Sequence, residues 1–253
     1  MSKFTRETAE VFYSEHLGKP FFPNLQEFMI SDVVVGMELV ADNAIAKWRQ
    51  FIGPTNSEKA KAEAPGSIRA LFGTDGTKNA CHGSDSLESA ARECEFFFGG
   101  EGKNKQMKTS AVLNNCSLCM IKPHIINNGQ AGQVIDMILQ AGFEISAAEM
   151  FHLNRPQMEE FYEVYKGVLP EYLPVIEHMS NGPVIILEIR QEDAVLMFRD
   201  FVGPYDPEIA CHLKPASLRA KFGLDRVKNG VHCTDLAEDG TLECQYFFDI
   251  MQA

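Results

Sequence analysis

The sequence predicts an α/β protein made of two tandem copies of one α/β sandwich, of which the first is incomplete. Phe51–Phe98 aligns with Phe201–Phe248 without a gap, at a constant offset of 150 residues. Short apolar runs, which are typical of strands, alternate along both copies with segments of helical periodicity. Strands that alternate with helices favour a layered α/β architecture. A repeat of this length indicates two domains and not the short units of a solenoid.

The second copy contains the full series of elements. Cys116–Pro123 is an apolar run ended by proline, which predicts a buried strand. Apolar residues then recur at helical spacing up to Gly142, which predicts a helix and its end. Glu144–Phe151 and Gly182–Ile189 are predicted as the next two strands, each followed by helical segments. The aromatic run Leu242–Ile250 predicts the last strand.

The first copy repeats only the later part of this series. Its first sixteen residues predict a helix, Val33–Val40 a strand, the following segment a helix, and the aromatic run Cys94–Phe98 a closing strand. Alignment with the second copy leaves no counterpart for the strand–helix–strand at Cys116–Glu149. We therefore expect unpaired backbone groups and exposed apolar side chains in the first copy, which would be unstable unless a partner covers the gap.

The segment between the copies predicts the domain boundary. Gly99–Ser110 is rich in glycine and lysine and free of large aromatic residues, which is typical of a linker. We therefore assign residues 1–98 to a truncated first domain, 99–111 to a linker and 112–253 to a complete second domain.

Composition excludes several classes of function. The chain has 253 residues with 23 Lys and Arg against 35 Asp and Glu, and its net charge of −12 disfavours nucleic-acid binding. No apolar run approaches the roughly 20 residues of a membrane span. Seven cysteines, several of them within apolar runs, favour a reducing compartment over a disulfide framework. We therefore expect a cytoplasmic or cytoskeletal protein.

Both copies carry the same candidate for chemistry, a histidine in the motif Lys-Asn-x-x-His. His82 and His232 each follow an arginine, Arg69 or Arg219, by thirteen residues. A neutral imidazole is a usable nucleophile, and guanidinium groups hold phosphate oxygens in pairs. Phosphoryl transfer requires mainly positioning and charge neutralisation. The alternative is a structural histidine that duplication has copied together with its surroundings.

Several motifs together carry a family resemblance. They are NACHGSDS at Asn79–Ser86, FFPNLQEFM, GPTN, PGSIRA and the IKP of Ile121–Pro123. With them the chain resembles the nucleoside diphosphate kinase family over nearly its whole length outside the linker. The resemblance implies ferredoxin-like domains and transfer of the terminal phosphate of a nucleoside triphosphate such as ATP to a nucleoside diphosphate through a phosphohistidine. It also implies Mg²⁺ held mainly through the nucleotide phosphates, and an oligomer or an intramolecular pseudo-dimer.

The resemblance also assigns site residues by position. It implies that His82 and His232 are the nucleophiles and that Glu93 and Glu243 orient their rings. The nucleotide-binding residues that it implies in the first copy are Tyr13, Phe21, Arg49, Thr55, Arg69 and Asn79. Those that it implies in the second copy are Lys122, Tyr162, Arg199, Tyr205, Arg219 and Asn229. It implies no protein ligand for the metal.

The two copies depart from the family pattern in different ways. The first keeps the histidine loop but lacks the strand that carries the lysine. In the second, His124 replaces an aspartate after Lys-Pro, and Tyr205 stands where a threonine meets phosphate. Cys233 and Leu236 replace the glycine and serine that flank the histidine motif. The second copy is therefore expected to bind nucleotide more readily than to turn it over.

Two functions stay open at this point. One is Mg²⁺-dependent phosphotransfer. The other is a non-catalytic scaffold, because the chain resembles tandem members of the family that belong to cilia and centrosomes. This resemblance implies tubulin, the γ-tubulin complex or axonemal microtubules as partners. Exonuclease activity is a weaker option that the acidic charge disfavours. Cys116-x-x-Cys119 could be half of a zinc site, but no second pair has ligand spacing, and buried free thiols are the favoured interpretation.

Overall fold

The computed structural model describes residues 1–99 and 108–252, and the chain divides into two compact units, Met1–Ser110 and Ala111–Ala253. Most of the predicted linker lies outside the described residues. Within those residues, no helix combines the length and apolar character that crossing a membrane requires.

The first unit is mostly helical. Its helices α1 to α6 span Arg6–Phe12, Phe22–Ile30, Ala44–Ile52, Ser57–Glu63, Ile68–Phe72 and Leu87–Phe98. Its strands β1 to β3 are only two residues long each, at Ser2–Lys3, Val33–Val34 and Lys108–Thr109. They form a small antiparallel sheet in the order β2-β1-β3.

The second unit contains a four-stranded antiparallel sheet. Its strands β4 to β7 span Cys116–Ile121, Glu144–Phe151, Val184–Arg190 and Val231–Cys233. Its helices α7 to α14 span Pro123–Asn127, Ala131–Gln140, Arg155–Phe161, Tyr172–Ser180, Ala194–Val202, Pro207–Leu213, Leu218–Phe222 and Gly240–Phe248. The sheet order is β5-β6-β4-β7, so β4 and β6 are the central strands.

Helices cover both faces of the second sheet. Alternate residues of β4 point to opposite faces, because successive side chains of a strand alternate. Leu118 and Met120 pack against α9, α10 and α14, whereas Cys119 and Ile121 pack against α8, α11 and α13. Every residue of β4 is buried. At Gly240, where α14 begins, a Cβ atom would lie 2.2 Å from the Cys116 carbonyl oxygen, so only glycine permits this close approach.

The prediction of a closing aromatic strand in each copy is wrong, because both segments are helical. Leu242–Ile250 lies mainly in α14, and Cys94–Phe98 lies at the end of α6. The buried residues of α14 are Gly240, Cys244, Phe247 and Phe248, which follow helical and not alternating spacing. The fourth strand of the second sheet is instead β7, which carries His232 and pairs with β4.

In the described part of the chain, the first copy has no counterpart of β4, α8 and the greater part of β5, as the alignment predicts. β1 pairs with β2 through Ser2 and Val34, matching the pair between Phe151 and Val184 at the end of β5 and β6. Within the described residues, no strand pairs with the other edge of β2, the edge that β4 occupies on β6. The predicted strand Val33–Val40 is therefore realised only at Val33–Val34.

Candidate active sites

The histidine site of the first unit is built by three helices around the loop that carries His82. A capping box between Ser86 and Ser89 begins α6 and directs Glu93 toward the loop. The indole Nε1 of Trp48, on α3, donates a hydrogen bond of 3.2 Å to the His82 carbonyl oxygen. Arg69, on α5, donates to the Cys81 carbonyl oxygen at 2.9 Å. The backbone on both sides of the imidazole is thus fixed.

The His82 imidazole is oriented by one carboxylate. Its Nε2 lies 2.9 Å from Glu93 Oε2, which also accepts a hydrogen bond from the Ser84 hydroxyl. When Nε2 donates to the carboxylate, the neutral ring carries its lone pair on Nδ1, which makes that nitrogen the nucleophile. The His82 side chain is 42% exposed, so the ring is accessible from solvent.

The second unit contains the same histidine–glutamate pair, which a further hydrogen bond connects to the central sheet. His232 Nε2 lies 3.2 Å from Glu243 Oε2, and the Thr234 hydroxyl donates to the same oxygen at 2.9 Å. Thr234 Oγ1 also accepts from the Leu118 backbone N–H at 2.9 Å, which ties the pair to the central strand β4. The first unit has no described strand in this place.

The second imidazole is enclosed. The His232 side chain is 8% exposed, about a fifth of the value for His82. The rings of Phe161, Tyr162 and Tyr165 surround it at centroid distances of 5.4, 5.4 and 6.2 Å. Two of these rings have counterparts beside His82, namely Phe12 and Tyr13 at 5.6 and 6.0 Å. The lower exposure of His232 is therefore what distinguishes the two sites.

Arg69 and Arg219, which occupy equivalent positions in the two copies, bind backbone carbonyl oxygens instead of facing an open space. Arg69 donates to the carbonyl oxygens of Gly53 and Cys81, and Arg219 donates to those of Gly203 and Val231. Both guanidinium groups are buried. Burial lowers the pKa of Arg69, with a smaller contribution from nearby Arg49. Each arginine therefore fixes the residue that precedes the histidine.

The other predicted residues of the first site are spread around His82. Tyr13 is buried with its ring 6.0 Å from the imidazole, and burial together with Glu93 raises its pKa to about 12, so it is a neutral phenol. Asn79 donates to the carbonyl oxygens of Thr55 and Gly76. Arg49 is exposed on α3 and close enough to influence the pKa of Asp85.

Phe21 lies one step further out in the first site. It is about half exposed and contacts the His82 surroundings only through His16, whose ring lies 5.4 Å from Phe21 and stacks on Tyr13 at 5.8 Å. The Lys19 ammonium lies 5.9 Å from the Phe21 ring. His16 and Lys19 are additions to the predicted set.

Lys122 is the deepest cation of the second site. It is 2% exposed at the end of β4, and its Nζ donates to the Val227 carbonyl oxygen at 2.8 Å. Burial, with Arg219 nearby, lowers the pKa of Lys122 to about 7. Its amine is therefore only partly charged at neutral pH, and an added anion would favour the charged form.

Tyr205 occupies the space between two arginines. Its ring lies 5.5 Å from the Arg219 guanidinium and 6.0 Å from that of Arg226. Around it, three buried polar atoms have no hydrogen-bond partner in the described part of the chain: Tyr205 Oη, Arg219 Nε and Asn229 Oδ1. Buried polar atoms without partners are rare in folded proteins and indicate a place for water or a polar ligand.

The remaining cations of the second site are paired with carboxylates. Arg199 forms an ion pair with Asp235, which also accepts from the Tyr165 hydroxyl at 2.7 Å. Arg226 pairs with Glu171 at 2.9 Å. Of these residues, the family resemblance implied only Arg199. Asp235 belongs to the Ser/Thr-Asp pair after the histidine, which was the available signal for it, whereas Arg226 occupies the position of Gly76 in the repeat.

A histidine pair next to Lys122 also escaped prediction. His124 Nδ1 lies 3.1 Å from His178 Nε2, and both rings have their pKa lowered to about 4, first by burial and then by neighbouring positive charges. The two residues are 54 positions apart, and no spacing rule connects them. His124, which departs from the family pattern, therefore has a hydrogen-bond partner in His178 on α10.

The fold and the two histidine–glutamate pairs define a class of protein with tandem ferredoxin-like domains. A solved nucleoside diphosphate kinase from Aquifex aeolicus matches 54% of this chain and 96% of its own, with TM-score 0.51 and 35% identity. The nucleoside diphosphate kinase family profile matches residues 1–102 and 115–252. The chain belongs to the nucleoside diphosphate kinase family, as the resemblance implied.

Individual relatives agree with this assignment. "Nucleoside diphosphate kinase homolog 7" of Rattus norvegicus is 50% identical over 99% of this chain, which spans 63% of that relative's length. "Probable nucleoside diphosphate kinase 5" of Arabidopsis thaliana is 50% identical over 39% of this chain and 68% of its own. The chain thus spans less than two thirds of its tandem relative.

Proposed function

We propose that the protein is a nucleoside diphosphate kinase-type phosphotransferase in which His82 carries the phosphoryl group and the second unit chiefly binds nucleotide. The observation that carries this proposal is the His82 imidazole, which Glu93 holds through Nε2 and which is 42% exposed. The equivalent side chain of His232 is only 8% exposed.

The reaction follows from the position of the imidazole proton. Nδ1 attacks the terminal phosphorus of a nucleoside triphosphate, the N–P bond forms, and the P–O bond to the departing nucleoside diphosphate breaks. Glu93 holds the Nε2 proton and stabilises the positive charge that grows on the ring. A second nucleoside diphosphate then attacks the phosphohistidine through its terminal oxygen, and the electron pair of the N–P bond returns to Nδ1.

In the proposed reaction, Mg²⁺ binds together with the nucleotide. When bound, it neutralises the charge of the phosphates. The carboxylates nearest the histidines are already engaged, Glu93 and Glu243 by the imidazoles and Asp235 by Arg199. This donor set fits an ion held mainly through phosphate oxygens.

Labelling with γ-phosphate-labelled ATP tests the proposal. The full chain should acquire an acid-labile, base-stable label that is lost in His82→Ala and kept in His232→Ala. His212→Ala, an exposed histidine on α12, is the matched control and should keep the label. A label that survives His82→Ala and disappears in His232→Ala would contradict the assignment.

The alternative is a non-catalytic scaffold of axonemal microtubules or the centrosome, and one observation favours it. Val35, Met37, Leu39 and Val40 of the first unit are exposed apolar residues in one segment, and such patches are typical of interaction sites. Under this alternative the protein is cytoskeletal and binds tubulin or the γ-tubulin complex.

Co-sedimentation with microtubules tests the alternative. The full chain should pellet with microtubules, and Met37→Glu should abolish pelleting. Leu213→Glu, which changes an exposed leucine of the second unit, should leave it unchanged. A chain that stays in the supernatant would contradict the scaffold proposal.

A further inference from the structure

Three side chains with metal-ligand atoms converge in the core of the second unit, away from both histidines. Cys116 on β4, Glu188 on β6 and Cys244 on α14 place one ligand atom each so that all three lie within 4.8 Å of one another. All three residues are buried. Cys119 takes no part, because it points to the opposite face of the sheet. Cys116 and Cys119 therefore do not belong to one site, and both are buried free thiols, as the sequence analysis favours.

The carboxylate in this cluster is held in place by its own partners. The Val112 and Leu113 backbone N–H groups donate to Glu188 at 2.8 and 2.6 Å, and the Ser146 hydroxyl donates to it as well. Ser146 lies at the irregularity between Ile145 and Ala147 in the pairing of β5 with β6. Partners that orient a ligand in this way are a feature of metal sites.

The ligand types suit an ion that accepts both sulfur and oxygen, and the three ligand atoms lie within 4.8 Å of one another. Neighbouring ligands around zinc are about 3.6 to 3.8 Å apart, given Zn–S and Zn–O bonds of about 2.3 and 2.1 Å. The Cys116 thiol donates hydrogen bonds to the Gly240 carbonyl oxygen and Thr241 Oγ1 at 3.8 and 3.9 Å, and either oxygen could supply a fourth ligand once the thiol proton is lost. Magnesium and calcium prefer oxygen ligands alone, whereas zinc accepts thiolates with a carboxylate.

The internal repeat provides a comparison. Cys94 and Glu38 of the first unit occupy the positions of Cys244 and Glu188, and they lie close enough for Glu38 to influence the Cys94 pKa. The third position, that of Cys116, belongs to the segment that alignment leaves without a counterpart. The first unit thus offers two of the three ligands and serves as a built-in negative control.

We propose that Cys116, Cys244 and Glu188 form a structural site for one zinc-class divalent cation. Binding replaces the two thiol protons, which pass to solvent, with two metal–sulfur bonds. The site joins β4, β6 and α14, and Glu243, the partner of His232, is the residue next to Cys244 on α14. The ion would therefore fix the helix that positions this glutamate.

Cobalt substitution and metal analysis of the full chain test the proposal. Protein purified without chelator should retain about one zinc ion per chain, and Co²⁺ should give a thiolate charge-transfer band together with the visible bands of a tetrahedral ion. Cys116→Ser and Cys244→Ser should each lose both signals at least tenfold. Cys119→Ser and Cys94→Ser should keep them.

Two results would overturn the site. One is folded wild-type protein that retains no zinc and gives no cobalt charge-transfer band after incubation with Co²⁺. This measurement needs no variant, so it decides the matter even where a cysteine substitution prevents folding. The other is a metal content or cobalt spectrum that depends on Cys94 or Cys119, which would place the ion elsewhere.

Discussion

The two units share one sequence pattern, yet β6 of the second unit and the equivalent residues 34–40 of the first differ in their exposure to solvent. Leu187 is fully buried on β6, whereas its counterpart Met37 is 60% exposed. Ile189 is buried, and its counterpart Leu39 is exposed. The difference arises because β4 pairs with β6 and covers it, while the described first unit has no strand in that position. A strand therefore depends on its neighbours more than on its own apolar residues.

The same difference accounts for the two histidines. β7 exists through its pairing with β4, and it places His232 inside the core. Within the described residues of the first unit, no strand pairs with the equivalent loop, and the His82 side chain is exposed. The first unit therefore has the more accessible imidazole and the second unit the more buried one.

The largest expected effect is on stability at the equivalent positions 187 and 37. Leu187→Ala should lower the free energy of unfolding of the second unit by about 2 to 5 kcal/mol, because it leaves a cavity in a packed core. Met37→Ala should change the first unit by less than about 0.5 kcal/mol, since the side chain is exposed. Denaturant unfolding of the full chain measures both. Equal costs at the two positions would contradict the open edge in the first unit.

The next effect concerns the glutamate that orients His82. Glu93→Gln should slow phosphorylation of His82 by about 10²-fold, because the ring loses the charge that supports the developing cation. Glu88→Gln, on the first turn of the same helix, is the control and should leave the rate unchanged. Quenched-flow labelling measures the rate. An unchanged rate in Glu93→Gln would remove the carboxylate from the mechanism.

Tyr205→Thr should restore space in the second site. Removing the ring from between Arg219 and Arg226 should strengthen binding of a nucleoside diphosphate to the second unit about tenfold, or 1.4 kcal/mol. Thr55→Tyr, the reverse exchange in the first unit, should weaken binding there. Calorimetric titration of the full chain measures each, with binding at the other unit weakened by Arg49→Ala in the first unit or Arg199→Ala in the second. Unchanged affinity in Tyr205→Thr would show that the ring does not occupy ligand space.

The smallest effect is a pH dependence from the pair His124 and His178. Their pKa values of about 4 lie below the ordinary value of 6.5, so the unfolded chain binds more protons between these limits. The second unit should therefore lose stability as the pH falls from 6.5 to 4. His178→Phe, which introduces the residue of the first unit at this position, should make that loss shallower, and His212→Phe should not. Unfolding measured at both pH values provides the comparison.

Sequence alone predicted the elements whose pattern is local. β5 spans Glu144–Phe151 as predicted, because its apolar residues alternate. The closing helices were missed because runs of phenylalanine and tyrosine favour strands by propensity, although the buried positions of α14 follow helical spacing. β7 was missed because three residues acquire strand structure only through β4.

The candidate sites also divide into residues that a sequence pattern predicts and residues that it does not. His82 and His232 recur at fixed spacing in both copies, so the repeat singled out the histidines. The family resemblance implied their pairing with Glu93 and Glu243, and the structure brings both pairs together. The pair of His124 with His178 and the cluster of Cys116, Glu188 and Cys244 join residues that are distant in sequence. Contacts of that kind form only when the sheet is complete, so no local sequence pattern predicts them.

The most direct test of the account is to locate the phosphohistidine by mass spectrometry. The full chain is incubated with ATP and Mg²⁺, and its peptides are analysed under conditions that preserve the N–P bond. The account predicts phosphate on His82, with little or none on His232. Phosphate on His232 alone, or on neither histidine in a folded sample, would contradict it.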